Sequence, residues 1–244
     1  MLPKKVDDPA ARAAAVAAAS LRIEPGMTIG LGSGRAVRAL VEVLGRHGRG
    51  SGRPPLRVAV ASSATEAHAR AAGLEVVPLD DLALDLVVDG ADEIDPRLDL
   101  IKGGGAALLR EKLLAAAGRK VLIVAEHEKY VERLGGGHPL PVEVVPFAWP
   151  MTRRRLLRLV PEAELRRRDD GTPLVTDEGH YLLDCRLPPE ADLAGLAAAV
   201  KGTLGVVEHG LFLGVASEVL LGHPDGSVRR LVRAEPPGAP GVRA

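Results

Sequence analysis

The sequence predicts an α/β fold: a parallel sheet covered by helices on both faces, followed by a smaller α+β unit. Three observations carry this. Short apolar runs alternate with segments of helical periodicity through the first half of the chain. Glycine-rich or acidic turns stand at the ends of several of these runs. Past Gly135-Gly136-Gly137 the order changes to strand, helix, two strands, helix, strand.

Pro9 to Ile23 is rich in helix formers and stops at Glu24-Pro25-Gly26. Met27 to Leu31 is a short strand. It leads through Gly32-Ser33-Gly34 into a helix from Arg35 to Arg46, where Val37, Leu40, Val41 and Leu44 recur at helical spacing. His47 to Pro55, rich in Gly, Arg and Pro, reads as a loop. Leu56 to Ala61 is the next strand, and Ser62-Ser63-Ala64-Thr65 opens a helix to Ala72 with hydroxyls suited to capping. Leu74 to Pro78 is another short strand. Leu84 to Val88 is a strand ending in Asp89-Gly90-Ala91-Asp92-Glu93. Behind Lys102-Gly103-Gly104-Gly105 a helix runs from Ala106 to Ala117, ended by Gly118, and Val121 to Ala125 is the following strand. Strands alternating with helices imply a parallel sheet. Their continuous apolar runs fit burial on both faces.

In the second half Pro139 to Phe147 reads as a strand and Met151 to Leu159 as a helix. Thr172 to Thr176 and Tyr181 to Cys185 read as two strands joined by the turn Asp177-Glu178-Gly179-His180. Leu193 to Thr203 is a helix, Gly205 to Phe212 a strand, and Ser217 to Val232 returns to the first unit. The expected organisation is a Rossmann-like domain of residues 1–134 and 213–234. A split βαβ, ferredoxin-like domain of residues 135–212 is inserted in it. The Pro- and Gly-rich tail, 235–244, is expected to be disordered. There is no internal repeat.

Composition narrows the function. The 244 residues are 46% hydrophobic, enough for a substantial core. Formal net charge is zero and aromatics are only 2%, so neither a basic footprint nor stacking platforms point to nucleic acid. The single cysteine, Cys185, permits no internal disulfide and reads as a small buried apolar residue. No apolar run approaches the ~18–20 residues of a membrane span, and the Ala-rich start, interrupted by Arg12, reads as a soluble helix. A cytoplasmic protein is expected.

Three stretches carry candidate chemistry. Gly30-Leu31-Gly32-Ser33-Gly34-Arg35-Ala36 joins strand to helix and would aim backbone N–H groups at an anion. Its third glycine falls one place early for a dinucleotide fingerprint, and Gly-Lys-Ser/Thr of a nucleotide-phosphate loop is missing. The alternative is a tight turn whose glycines only let helix and strand pack. Asp89-Gly90-Ala91-Asp92-Glu93-Ile94-Asp95 lies at a strand's carboxyl end, where ligands bind in open α/β sheets. Acids there can donate and accept protons or hold a metal, and Asp89 and Asp92, nearest the strand, are the better candidates. Glu93 and Asp95 read as a solvated acidic turn. Lys102-Gly103-Gly104-Gly105, costly in entropy, makes sense where a ligand approaches the backbone closely and negative charge develops on oxygen.

Glu111 follows in mid-helix. With Ala107, Leu108, Leu114 and Ala115 on its face, it is either a desolvated carboxylate suited to act as a base or an exposed Glu paired with a basic neighbour. The seven histidines form no metal-ligand spacing, and no metal is expected. Arg153-Arg154-Arg155 and Arg166-Arg167-Arg168 offer contacts to phosphate, but such runs more often are solvated faces, balanced here by Glu162, Glu164, Asp169 and Asp170.

In this order the stretches resemble the ribose-5-phosphate isomerase A family over nearly the whole chain. The most specific are Asp89-Gly-Ala-Asp-Glu, Leu100 to Lys112, Pro139 to Phe147 and Gly205 to Phe212. The resemblance implies interconversion of D-ribose 5-phosphate and D-ribulose 5-phosphate in the non-oxidative pentose phosphate pathway. It implies no metal or organic cofactor and a homodimer or homotetramer. It places Glu111 on the catalytic glutamate and Asp89 and Asp92, with Gly90 and Ala91 between them, on the active-site aspartate segment. Lys102 with Gly103, Gly104 and Gly105 falls on a substrate-binding segment, and Lys129 on a substrate-contacting lysine. Ser33, Gly34, Arg35 and Ala36 fall on the loop that holds the sugar phosphate. Two departures stand out. The family's Gly-Thr-Gly-Ser-Thr is here Gly32-Ser33-Gly34-Arg35-Ala36, and Arg12 stands where many members have lysine. The rival readings are a non-catalytic sugar-phosphate sensor, an isomerase or CoA transferase of related fold, and a nicotinamide-dependent oxidoreductase. The first would carry an N-terminal helix-turn-helix, and only one helix is expected before Met27. The glycine spacing disfavours the last.

Overall fold

The computed structural model describes residues 7–48, 55–80 and 82–234. The expected tail and most of the loop between His47 and Pro55 lie outside them. Along the chain, α1 (Pro9–Ser20), β1 (Thr28–Leu31), α2 (Gly34–Gly48), β2 (Arg57–Val60), α3 (Ser63–Ala71), β3 (Glu75–Val76) and β4 (Leu86–Asp89) come first. Next are β5 (Glu93–Ile94), β6 (Leu100–Ile101), α4 (Leu108–Ala117) and β7 (Val121–Glu126). They are followed by β8 (Leu140–Val144), α5 (Trp149–Leu156), β9 (Glu162–Leu165), β10 (Tyr181–Arg186), α6 (Leu193–Lys201) and β11 (Val206–His209). The last are β12 (Leu211–Phe212), β13 (Glu218–Gly222) and β14 (Val228–Val232).

Seven strands form the large sheet in the order β14-β13-β7-β4-β1-β2-β3. All pairings are parallel except the edge pair β13–β14. The central strands β1, β4 and β7 are buried along their whole length, as their apolar runs require. One face packs Ile29, Leu31, Val58 and Val88 against Val16 of α1, Leu40 and Val41 of α2 and Ala69 of α3. The other packs Val87, Ile123, Val219 and Leu221 against Leu114 of α4 and Phe212. Helix starts follow local chemistry. Asp8 caps α1 by accepting the Ala11 N–H at 2.9 Å with Pro9 at the first position. Ser62 caps α3 through the Thr65 N–H at 3.1 Å.

The chain leaves β1 toward β2 and β3, then returns to the other side of β1 as β4. The sheet therefore reverses direction between β1 and β4, and the crevice at their carboxyl ends is the natural ligand position of such a sheet. A second, antiparallel sheet has the order β11-β8-β10-β9, with α5 and α6 in the connections, which is the split βαβ arrangement. Its own core joins Leu140, Val142, Val144, Leu156, Leu183 and Val200. A third sheet, β12-β6-β5, takes two strands from between β4 and β7 and one from just after β11.

Several expectations need correcting. Thr172 to Thr176 is not a strand. Only the isolated bridges of Pro173 with Arg167 and Val175 with Tyr181 form there, and β10's partner is β9, which the two glutamates of Glu162–Leu165 disguise. Gly205 to Phe212 is not one strand. It breaks at Gly210, where a Cβ would stand 2.1 Å from the Lys102 carbonyl oxygen, and its halves join different sheets. The helix behind the three glycines starts at Leu108, because Ala106 takes a left-handed φ of 64°. Glu111 therefore lies in its first turn rather than its middle.

Candidate active site

Two turns meet where the sheet reverses. The Gly32 N–H donates to the Val88 carbonyl at 3.0 Å, extending the β1–β4 ladder by one residue. A Cβ on Gly32 would lie 1.9 Å from the Asp89 carboxyl carbon, so only glycine lets that carboxylate fold over the turn. Asp89 Oδ1 accepts the N–H groups of Gly90 at 2.7 Å and Ser33 at 3.2 Å. The hydroxyl of Thr65 ties the turn to α3 through the Gly32 carbonyl.

Lys102 enters from the end of β6, its N–H held by the Gly210 carbonyl at 2.9 Å. Its buried ammonium donates to the Gly90 carbonyl at 2.8 Å and lies 2.9 Å from Asp89 Oδ2 and 3.0 Å from Glu111 Oε2. The ring of Phe212 stands 5.4 Å from it, a cation–π distance. The Ser33 hydroxyl donates to Glu111 Oε1 at 2.5 Å. Glu111 Oε2 is buried 3.0 Å from the ammonium. One ammonium thus serves two carboxylates.

Burial, and then the charge of Glu111, push the Asp89 carboxyl up to about 7, with Lys102 and the Gly90 N–H pulling it down. For Lys102, burial works against the charge, but Asp89 and Glu111 outweigh it and hold the ammonium well above its ordinary value. Near neutral pH the group therefore holds a fixed cation and a carboxyl able to gain or lose a proton.

The glycine segment closes the site from the side of α4. Gly103 has φ 107°, and the Gly104 N–H donates to Asp92 Oδ2 at 2.7 Å. A Cβ on Gly105 would stand 3.3 Å from the Ser33 hydroxyl, so this segment faces the β1 turn directly. Ala91 is buried between the two aspartates in sequence. Arg35 and Lys129 belong to an adjoining charged group. Asp7 bridges Arg35 and Arg12, each at 2.6 Å, and buried Glu126 at the end of β7 pairs with Arg12 at 2.9 Å and Lys129 at 3.1 Å. The side chain of Ala36 is packed in the core under α2. Beside Ser33 and Gly34 its position supplies only backbone. Glu93 and Asp95 are not a solvated turn. Both are buried, and Glu93 accepts the N–H groups of Gly135, Gly137 and His138 at 2.5–2.6 Å.

Sequence reasoning missed Arg166. It is not part of a solvated face: its guanidinium pairs with Asp184 and donates to the Gly103 carbonyl at 2.8 Å. Nothing local signals this, since the acceptors lie 18 and 63 residues away. Two surface cavities of about 420 and 290 Å³, lined by residues such as Trp149 and Arg153 or Arg97 and Pro188, include none of Asp89, Lys102 and Glu111. The switch-point group is marked by buried charge rather than by volume. Among the described residues no cluster of three or more His, Cys, Asp or Glu is arranged to hold a metal ion, and no helix is long and apolar enough to cross a membrane.

The family model for ribose 5-phosphate isomerase A (phosphoriboisomerase A) matches residues 58–226. Ribose-5-phosphate isomerase A of Deinococcus radiodurans is 43% identical over 211 residues, covering 86% of this chain and 92% of that protein. The solved ribose 5-phosphate isomerase from Plasmodium falciparum is similar with a TM-score of 0.88 at 30% identity, covering 94% of this chain and 100% of the other. A D-ribose-5-phosphate isomerase in complex with phospho-erythronic acid gives 0.87 at 31% identity, covering 93% and 100%. The chain belongs to the ribose 5-phosphate isomerase A family.

Proposed function

We propose that this chain is an aldose–ketose isomerase that interconverts D-ribose 5-phosphate and D-ribulose 5-phosphate. The single observation that carries the reading is the buried Asp89–Lys102–Glu111 group, in which one ammonium lies within 3.0 Å of both carboxylates. Isomerisation needs ring opening, removal of the C2 proton and its return to C1 through an enediol(ate). One base on one face of the sugar can make both transfers. Glu111 Oε2 is that base, held by the Ser33 hydroxyl on its other oxygen. Lys102 and the N–H groups of the Gly103–Gly105 segment stabilise negative charge on the sugar oxygens. Asp89, with its carboxyl near neutrality, and Asp92 assist ring opening and proton exchange on oxygen.

The phosphate sits against the Ser33–Ala36 turn, with the charges of Arg35, Arg12 and Lys129 nearby. Arg35 replaces family hydroxyls by a guanidinium, which binds phosphate well. The complex of a similar enzyme with phospho-erythronic acid, itself a phosphorylated four-carbon acid, supports a phosphosugar in this family's site.

Residues 1–134 with 213–234 and residues 135–212 form two domains, in keeping with the seven-stranded and four-stranded sheets, and β12 pairs with β6 where the two meet in the chain. The enzyme works as a homodimer or homotetramer in the cytoplasm. The exposed apolar side chains Val145, Phe147, Met151 and Leu204 support an interface on the smaller unit, and Phe147 is 89% exposed. A coupled assay of purified protein with ribose 5-phosphate, without added metal, tests the activity. Turnover of ribose 5-phosphate is expected, and its absence with native protein overturns the reading.

A further inference from the structure

We infer that Arg166, supplied by the small antiparallel sheet, is a positioning residue for the isomerisation, because it holds the Gly103–Gly104 peptide that presents Asp92 to the sugar. This rests on the isomerase reading of the site and extends it to a residue outside the large sheet.

The Gly103 carbonyl and the Gly104 N–H belong to the same planar, trans unit and point in opposite directions. On one side the carbonyl accepts from Arg166 Nη1 at 2.8 Å. On the other the N–H donates to Asp92 Oδ2 at 2.7 Å. Glycines flank both ends of this unit, and φ of 107° at Gly103 is a conformation that side chains would not enforce. Its orientation therefore depends on the groups that grip it. The Ala106 N–H also reaches the Gly103 carbonyl, at 3.1 Å, but that bond closes a turn within the same segment and moves with it. Arg166 is the grip that comes from elsewhere in the fold.

Arg166 is itself fixed. Its N–H donates to Leu182 and its carbonyl accepts from Leu174, which pins the backbone next to β9. Nε donates to Asp184 Oδ2 at 2.9 Å and Nη2 to the other oxygen, a two-pronged pair on β10. The side chain is 15% exposed. A bidentate carboxylate sets the plane of the guanidinium as well as its place, so Nη1 has one direction left, toward the glycine segment. The line runs Asp184, Arg166, Gly103–Gly104, Asp92.

The test compares Arg166→Lys with the wild type on ribose 5-phosphate, with Arg167→Lys as control. Arg167 donates only to Gly171 in an exposed turn and is expected to keep wild-type kinetics. Lysine keeps the charge but cannot hold Asp184 with two prongs and the carbonyl with a third. A shift of about 1 Å in a reacting group costs up to ~10²-fold, so kcat is expected to fall at least about tenfold, and by more than KM rises. A merely structural arginine would lower thermal stability without this split. Any result in which folded Arg166→Lys keeps kcat within about threefold, or raises KM more than it lowers kcat, overturns the inference. If Arg166→Lys does not fold, Asp184→Asn carries the same test under the same criterion. A wild type that fails to isomerise ribose 5-phosphate refutes the activity itself. An active wild type with an unaffected variant refutes only the role of Arg166.

Discussion

Replacing Lys102 by methionine isolates the electrostatics of the centre. Methionine keeps most of the stem but removes the ammonium that sits 2.9 Å from Asp89 and 3.0 Å from Glu111, all three groups being buried. Removing one partner of a buried ion pair typically costs about 3–5 kcal/mol, because a charge is left uncompensated. For a domain of this size each kcal/mol moves Tm by about 2–4 °C, so a drop of roughly 6–20 °C follows. The sign of the pH dependence is fixed as well. Asp89 already binds its proton more tightly folded than unfolded, at about 7 against an ordinary 3.8. Lys102 is the group that holds that value down, so its loss raises the folded value further. The folded state then carries more protons than the unfolded one, and stability falls as pH rises above about 4. Thermal unfolding followed by circular dichroism at pH 5 and pH 8 reads both effects. The deficit of Lys102→Met is expected to be larger at pH 8. A Tm within 2 °C of the wild type at pH 8, or a larger deficit at pH 5, would refute the argument.

Other consequences follow from single contacts. Gly32→Ala would push a methyl to within 1.9 Å of the Asp89 carboxyl carbon, so kcat/KM should fall by about 10²-fold or more, and unchanged kinetics would remove the close approach from the account. Arg35→Ala removes one guanidinium from the phosphate side of the site, and KM for ribose 5-phosphate should rise about tenfold with kcat retained. An unchanged KM would take Arg35 out of phosphate binding. Glu208 is pushed up by burial but held down more strongly by Lys112 and Lys201, to about 2 against an ordinary 4.5. Its stabilisation is therefore complete above about pH 4.5 and lost as pH falls through 2. Glu208→Gln should lower stability at pH 7 by about 1–3 kcal/mol and flatten the acid limb of the Tm profile. A limb as steep as that of the wild type would contradict this.

What could be read from the sequence is what depends on local pattern. The apolar runs at β1, β4 and β7 are legible because both faces are buried, and Ser62 and Gly118 mark helix ends by their own chemistry. Asp89 is legible as a candidate because a strand ends there. The misreadings share a different cause. Glu162–Leu165 is a strand because of β10, a partner Glu162 and Glu164 do not announce. Gly210 breaks a run of strand-like residues because the Lys102 backbone passes against it. Arg166 and Glu93 look like solvated charges until carbonyls, N–H groups and an aspartate from distant segments close around them. Glu111, undecided between base and exposed ion pair, is buried against Ser33 and Lys102, 78 and 9 residues apart from it in number but in contact in space.

The central claim is that Glu111 moves the proton between C2 and C1, and Glu111→Gln tests it most directly. Glutamine keeps the shape, so the fold should persist by circular dichroism, but its amide cannot act as a base. General base catalysis is worth ~10²–10⁴-fold. The account predicts that kcat on ribose 5-phosphate falls by at least 10²-fold. A folded Glu111→Gln variant with turnover close to that of the wild type would contradict it.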